Sequence, residues 1–349
     1  MQNDTKIFLI IKPNKILVKP NIENITIISI VNTDDLSNYE LAYQTTKCYS
    51  LVYGYDFITV NINYYKNILS KCNQTDFMFK RHCFLSYYLK EIIPYSKYVL
   101  FIDADIGVIN PTHNLTKYLP IKDEEILFEE RIFNYEISAG SYFVKNDVYA
   151  RDLLLKWANF EKFIPNAFSG SDNVALHPFL FKYLPPKYKN HSVVCQNLWE
   201  TSQTYNDLER YVACLRYFMK NYFIETKNLN DEEYYLDNGK IKIIKKLSKR
   251  KWVRDVWLTE SKFSDNDFML HGLKKSAINS NAFASWTQII YLNNYNISKC
   301  KSETFYENWV YNWNFMTTNV EIKMLLKNVI GNIDKKFHNI IKDLNIKII

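Results

Sequence analysis

Tyr98-Val99-Leu100-Phe101-Ile102-Asp103-Ala104-Asp105-Ile106-Gly107-Val108 decides how the rest of this chain is read. Apolar residues run directly into two carboxylates separated by one position. A continuous apolar run rich in β-formers predicts a strand buried on both faces, of the kind found at the centre of an α/β sheet. Ligands of open α/β sheets sit at the carboxyl ends of the strands, which is where Asp103 and Asp105 fall. Strand alternation would turn both carboxylates the same way, with Ala104 turned opposite. Two like charges that close are costly without a cation between them. The pair therefore reads as the seat of a hard divalent cation, with phosphate oxygens and water completing its shell. The competing reading is a strand that ends in a solvated, Asp-rich turn.

The 349 residues suit one large domain, or one domain with an extension. Hydrophobic residues at 47% and charged residues at 23% give an ordinary globular balance and exclude a disordered chain. With 7 Gly and 9 Pro, collagenous and low-complexity classes are excluded too. The 27 Tyr and 22 Phe fit a large core and a carbohydrate-contacting surface, or simple compositional drift. A net charge of +7 suits anionic ligands such as nucleotide phosphates and does not by itself indicate nucleic acid. Basic residues concentrate in Lys240–Arg254, behind an Asp237-Asn238-Gly239 turn. That segment reads as a solvated edge hairpin, or else as an anion-binding patch. The six cysteines (Cys48, Cys72, Cys83, Cys195, Cys214 and Cys300) form no zinc-like cluster. Cys72 and Cys83 could pair in an oxidising compartment, and buried thiols fit equally well. The first residues lack a signal-peptide pattern, and Ile7–Ile11 is too short for a membrane span. The expected compartment is therefore the cytoplasm, with the secretory lumen as the alternative. Asn-x-Ser/Thr sites at Asn24, Asn73, Asn114, Asn190 and Asn296 arise by chance in an Asn-rich chain.

In chain order, Asn24–Val31 predicts a buried opening strand, with Asn32-Thr33-Asp34-Asp35 as its loop. Neither G-x-G-x-x-G nor G-K-[ST] is present, which excludes a dinucleotide fingerprint and a Walker loop. Leu41–Tyr53 predicts a helix ending near Gly54, and Tyr55–Val60 a second strand. Phe77–Ile93 predicts a helix stopped by Pro94 that carries Lys80, Arg81 and His82. Asn114–Leu119 reads as a short helix, and Glu125–Glu129 and Ile137–Lys145 as strands around Phe133-Asn134-Tyr135-Glu136. The second strand holds Ser138-Ala139-Gly140-Ser141, small residues that would let a ligand approach the backbone. Asp147–Phe160, Val174–Tyr183 and Leu208–Tyr222 read as helices, and Val193–Cys195 as a short strand. Phe268-Met269-Leu270-His271-Gly272-Leu273-Lys274 places a His and a Lys after an apolar run. From Asn279 onward the chain reads as mixed helices with an amphipathic tail. The expected division is a catalytic domain over 20–278 and a mostly helical extension over 279–349.

A metal on Asp103 and Asp105 could bind a diphosphate, with His271 as a third protein ligand. A nucleoside diphosphate leaves poorly unless its charge is neutralised as the bond breaks, and Mn²⁺ or Mg²⁺ does that as a Lewis acid. Lys274, with Lys80 or Arg81, could add positive charge at the departing phosphates.

Phe79-Lys80-Arg81-His82-Cys83 followed by Ser96–Asp105 resembles the donor-binding half of GT-A glycosyltransferases. Phe133–Asn146, with its Ala-Gly-Ser core, resembles the galactosyltransferases and mannosyltransferases of the α-1,2-galactosyltransferase and mannan-polymerase type. The pattern is most similar to a glycosyltransferase-like family still labelled a domain of unknown function. Shared with it are the Arg-His-Cys, Asp-Ala-Asp-Ile-Gly-Val, Ala-Gly-Ser-Tyr and Gly-x-Asp-Asn blocks, over roughly Ile25 to Lys274. The resemblance implies a GT-A, Rossmann-like α/β fold with a mixed central sheet and a helical C-terminal extension. It implies transfer of a hexose from a UDP- or GDP-sugar to a glycan or other hydroxyl acceptor, with retention. Asp103 and Asp105 match the metal and donor-phosphate carboxylates, with Ala104 between them. His271 matches the C-terminal metal histidine and Lys274 a donor-diphosphate lysine. Asp172 and Asn173 match the loop facing the sugar or acceptor, although such families more often carry Gln where Asn173 stands. Lys80 and Arg81 match the basic pair before the strand. Asn32 and Thr33 would lie near the nucleoside, and Ala139 and Gly140 beside the donor. For Asp172 the competing reading is a helix N-cap. Glu136 could share the cleft, or be a solvated loop carboxylate.

Two other classes stay open. A haloacid-dehalogenase-type phosphohydrolase also places D-x-D after an apolar strand, with the first Asp as nucleophile. There the motif normally lies on the first strand, whereas here it lies on the third. A degenerate nucleotide-sugar-binding scaffold would keep the polar positions and lack turnover. Nothing in the sequence calls for nucleic acid or a transmembrane segment.

Overall fold

The computed structural model describes residues 23–191 and 193–346. The Ile7–Ile11 reading, and with it the leader question, lies outside them. The fold is mixed α/β. Its main sheet takes the order β2-β1-β3-β6-β5-β8-β7, with β1 at Ile25–Val31, β2 at Asp56–Asn61, β3 at Tyr98–Ile102, β5 at Ile126–Glu129, β6 at Ser141–Lys145, β7 at Glu233–Leu236 and β8 at Ile241–Ile244. β1 runs parallel to both β2 and β3, while β6 runs antiparallel to both β3 and β5. The sheet is therefore mixed, and β3 lies inside it as its apolar run predicts. Val99 and Phe101 enter the core on one face of the sheet; Leu100 and Ile102 enter the core on the other.

A second sheet of three short strands builds the site. β4 (Gly107–Val108) pairs antiparallel with β10 (Met269–His271), and β10 pairs parallel with β9 (Val253–Asp255). Helix α1 (Glu40–Tyr53) ends on Gly54, as read from sequence, and α2 (Phe77–Glu91) is N-capped by Asp76. α3 (Val148–Ala158) starts on the cap Asp147 and packs along α2. α4 spans Ser171–Phe181, α5 Val193–Glu200 and α6 Tyr205–Thr226. The strand expected at Val193–Cys195 is thus the first turn of a helix. A disulfide from Cys195 to Cys214 of α6 pins that helix in place, a long-range tie that a short apolar run cannot announce.

Residues 279–346 are less helical than expected. Residues 290–311 contribute a two-stranded ribbon, β11 (Ile290–Tyr291) with β12 (Val310–Tyr311), among 3₁₀ turns. Among the described residues of this segment only α7 (Asn319–Asp343) is a long helix, burying Ile322, Leu326, Phe337 and Ile340. Trp286, Ile289, Cys300 and Trp309 share a core with β1 and β3, so the extension packs into the sheet domain. All six cysteines pair: Cys48–Cys300, Cys72–Cys83 and Cys195–Cys214. No helix among the described residues is long and apolar enough to cross a membrane.

The basic hairpin forms at the sheet edge, but four of its cations face carboxylates of the same chain. Lys242 and Arg250 both meet Glu124 and Glu233. Lys251 lies 3.0 Å from Glu129, and Arg254 binds Asp267 at 2.6 Å. The edge position is as read from sequence, while the pairing of Lys242, Arg250, Lys251 and Arg254 closes much of the charged surface expected there. Charge counting along the chain cannot see partners that the topology supplies.

Candidate functional site

β3 stops at Ile102, so the two carboxylates come from a turn and not from strand alternation. The turn is fixed at three points. The Asp103 N–H donates to the Gly140 carbonyl at 2.7 Å, the Ile106 N–H donates to the Asp103 carbonyl at 3.0 Å, and the Leu273 N–H donates to the Asp105 carbonyl at 2.9 Å. Pairing of Leu270 with Gly107 then brings His271 beside Asp105. Ligand atoms of Asp103, Asp105 and His271 all lie within 4.8 Å of one another. His271 Nε2 is 3.4 Å from Asp105 Oδ1, and Lys274 Nζ is 3.5 Å from Asp105 Oδ2. Two carboxylates and one imidazole, converging from two elements, fit Mn²⁺ or Mg²⁺ and leave positions for ligand oxygens and water.

Asp255 was not singled out from the sequence. On β9 it holds His271 Nδ1 at 2.6 Å, which leaves Nε2 turned to Asp105. A carboxylate behind a metal-facing imidazole fixes the ring and its tautomer. Burial disfavours the imidazolium, but Asp105 and Asp255 outweigh it and push His271 up to about 10. Burial likewise opposes the Asp105 charge, and His271 with Lys274 overcomes it to hold the carboxyl well below its usual range. The only sequence signal for Asp255 was its place at the end of the basic segment.

Arg81 joins the two halves of the site. Its Nη1 donates to Asp103 Oδ1 at 2.5 Å and its Nη2 to Asp172 Oδ2 at 2.8 Å. Lys80, the preceding residue, is half-buried and stays outside this network among the described residues. His82 meets Asp172 through Nε2 and Tyr142 through Nδ1, both at 2.8 Å, and stacks on Trp157. Burial drives His82 down to about 4, so the ring is neutral at pH 7. An ionised carboxylate only accepts, so Nε2–H donates to Asp172 and Nδ1 accepts from the Tyr142 hydroxyl.

Asp172 is 1% exposed and does not face open solvent. It is not an N-cap either: Gly170 occupies the cap of α4 and Asp172 lies in the first turn. Asn173 Oδ1 accepts from the Ala139 N–H at 2.9 Å. At Gly140, a Cβ would lie 2.5 Å from Asp103 Oδ2. At Gly140 the room left by the missing side chain is taken by the Asp103 carboxylate, while Ser138, Gly140 and Ser141 also line the recess beside it.

Two recesses flank the turn. On one side, Ser29, Tyr39, Tyr43, Phe57, Thr59 and Ala104 line a pocket against α1. Within it, Ser29 Oγ and Thr59 Oγ1 are buried without a hydrogen-bond partner. Asn32 and Thr33 are exposed in the loop just beyond; the Asn32 carbonyl accepts from Asn63, and Thr33 Oγ1 accepts from the Asp35 N–H. On the other side, Glu129, Arg131, Lys251, Asp255 and His271 enclose a polar cavity of about 20 Å³, room for one water. Burial raises Glu129 to about 7 against the pull of Lys251. Arg131, a further cation that sequence reading passed over, stays charged against burial through Glu136, Asp255, Asp103 and Asp105. Glu136 is half-buried, with its carboxylate 3.7 Å from Arg131 Nε.

Residues 46–286 match the model of a family described as a protein of unknown function, DUF273. This chain belongs to that family. The DUF273 match runs from α1 to Trp286 and contains Arg81, Asp103, Asp105, Asp172, Asp255, His271 and Lys274. No curated protein matches the chain. Among solved structures, a glycosyltransferase involved in the glycosylation of the major capsid of PBCV-1 is similar over 40% of this chain and 68% of that one, with 17% identity and a TM-score of 0.33.

Proposed function

We propose that this DUF273 protein is a metal-dependent glycosyltransferase of the GT-A type, moving a hexose from a UDP- or GDP-sugar to a glycan or other hydroxyl acceptor with retention. The observation that carries the reading is the convergence of Asp103, Asp105 and His271, with Lys274 beside them, at the carboxyl end of the central strand β3. Asp103, Asp105 and His271 would hold Mn²⁺ or Mg²⁺. The ion, when bound, neutralises the leaving diphosphate as a Lewis acid. Lys274, 47% exposed, reaches over the same edge and adds charge at the departing phosphates. The orphaned hydroxyls of Ser29 and Thr59, among Tyr39, Tyr43 and Phe57, support a nucleoside subsite there. Asn32 and Thr33 border that recess from its loop.

Arg81 ties Asp103 to Asp172, so Asp172 acts by holding Arg81 and, through it, the carboxylate that takes the metal. Asn173 fixes the Ala139–Gly140 backbone on which Asp103 rests. Three disulfides support an oxidising, secretory-type compartment over the cytoplasm.

Calorimetric titration of UDP and GDP, each with and without Mn²⁺, tests the reading on the wild type and on Asp105→Ala. One nucleotide is expected to bind only with Mn²⁺, and the variant to lose that binding. If neither nucleotide binds under any condition, the reading fails.

A further inference from the structure

Next to His271 the surface carries three aromatic rings, each packed against the other two. Centroid distances are 5.7 Å for Phe133–Trp257, 5.7 Å for Trp257–Phe283 and 6.1 Å for Phe133–Phe283. The Trp257 ring is 5.9 Å from the His271 ring. Gly272 follows that histidine at φ +92°, and a Cβ there would lie 2.6 Å from the Trp257 ring, so the indole rests directly on the backbone that carries the metal-facing imidazole. Phe283 is 76% exposed. The base of its loop is tied by two hydrogen bonds: the Asn279 N–H donates to the Trp286 carbonyl at 2.8 Å, and buried Trp286 donates from Nε1 to the Lys274 carbonyl at 2.9 Å. Arg131 lies 5.5 Å from the Phe133 ring and pairs with Glu136, giving the rings a charged rim.

We infer that Phe133, Trp257 and Phe283 form an open aromatic platform that seats a sugar ring of the acceptor beside the metal triad. The placement rests on the glycosyltransferase reading; the choice of ligand rests on the surface itself. A pyranose presents a face of C–H bonds ringed by hydroxyls. It matches the exposed Phe283 ring, edged by the half-buried Phe133 and Trp257 rings tilted at about 60° to it and bordered by a guanidinium and a carboxylate with both donor and acceptor capacity. The aromatic recess lined by Tyr39, Tyr43 and Phe57, where the nucleoside is proposed to sit, lies on the other side of the Asp turn. The platform is thus left for the molecule that approaches from solvent. Ring stacking favours the sugar face that is free of axial hydroxyls.

Saturation-transfer NMR with methyl glucosides, methyl galactosides, methyl mannosides, maltose and lactose tests the inference on the wild type, Phe283→Ala and Phe283→Tyr. At least one saccharide is expected to receive saturation at its ring C–H protons. That signal should fall fivefold or more in Phe283→Ala and return in Phe283→Tyr. No signal on the wild type, or equal signals in all three proteins, overturns the platform. Mn²⁺–UDP and Mn²⁺–GDP calorimetry on the same samples separates the two readings. A Phe283-dependent saccharide signal without nucleotide binding would sink the glycosyltransferase reading and leave the sugar site. Nucleotide binding with a saccharide signal indifferent to Phe283 would sink the platform alone.

Discussion

Asp255 accepts from His271 Nδ1 at 2.6 Å and thereby commits Nε2 to the metal side. An amide accepts more weakly than a carboxylate and can flip, so Asp255→Asn should weaken Mn²⁺ binding by roughly 10- to 100-fold while the fold persists. Electron paramagnetic titration of free Mn²⁺ reads this directly, and unchanged affinity would remove Asp255 from the site. Asp172 makes a different prediction. Asp172→Ala leaves the Arg81 charge without one of its two carboxylates and the buried His82 N–H without an acceptor. Breaking such a buried pair costs about 3–5 kcal/mol, which urea unfolding would show. His82 also predicts a pH dependence. Its folded value, about 4, lies below the ordinary imidazole range, so the unfolded chain takes up a proton first as pH falls. The stability His82 contributes is complete above about pH 6.5 and drains away between about pH 6.5 and 4. The urea midpoint should fall across that window, and His82→Gln should flatten the fall. At this scale the sequence was legible where a residue announces its own chemistry. Asp103, Asp105 and His271 did so, and the three converge. Asp255 and Arg131 did not, because each acquires its importance from a neighbour far away in the chain.

Among the elements, β6 and the turn after β3 form one unit. The carbonyl of Gly140 receives the Asp103 N–H, and the missing side chain of Gly140 leaves space for the Asp103 carboxylate. Gly140→Ala should therefore displace that carboxylate and cut Mn²⁺ affinity at least tenfold. Circular dichroism should stay native, since β6 keeps its pairing. Normal Mn²⁺ binding in this variant would show that the turn can shift at no cost. Long elements with strong periodicity were readable: β1, α1, α2, β3 and α3 fall where the apolar pattern and caps put them. The failures share one cause. Val193–Cys195 is too short for a period to decide, and the ribbon β11–β12 consists of two-residue strands that exist only because they pair. The D-x-D was expected to continue the strand's alternation because the apolar run leads straight into it, whereas β3 stops at Ile102 and β4 belongs to a different sheet.

At the scale of the molecule, the covalent cross-link Cys48–Cys300 ties α1 to the extension across a separation of 252 residues. In a chain-entropy picture, closing so long a loop contributes on the order of 5 kcal/mol, somewhat more than a short one. Treatment with a reductant should lower the melting temperature by several degrees, and Cys48→Ser with Cys300→Ser should reproduce most of the loss. An unchanged melting curve would mean that the shared core alone holds the extension. The pairing of β4 with β10 has a consequence in time. Asp103 and Asp105 leave the ribosome about 170 residues ahead of His271, which at 5–20 residues per second is a delay of roughly ten to thirty seconds. During that interval the nascent chain presents two of the three residues of the cluster, with Arg81 and then Arg131 as cations to quiet their charge. The Asp103–Asp105–His271 cluster is complete only once the chain has been made as far as residue 271.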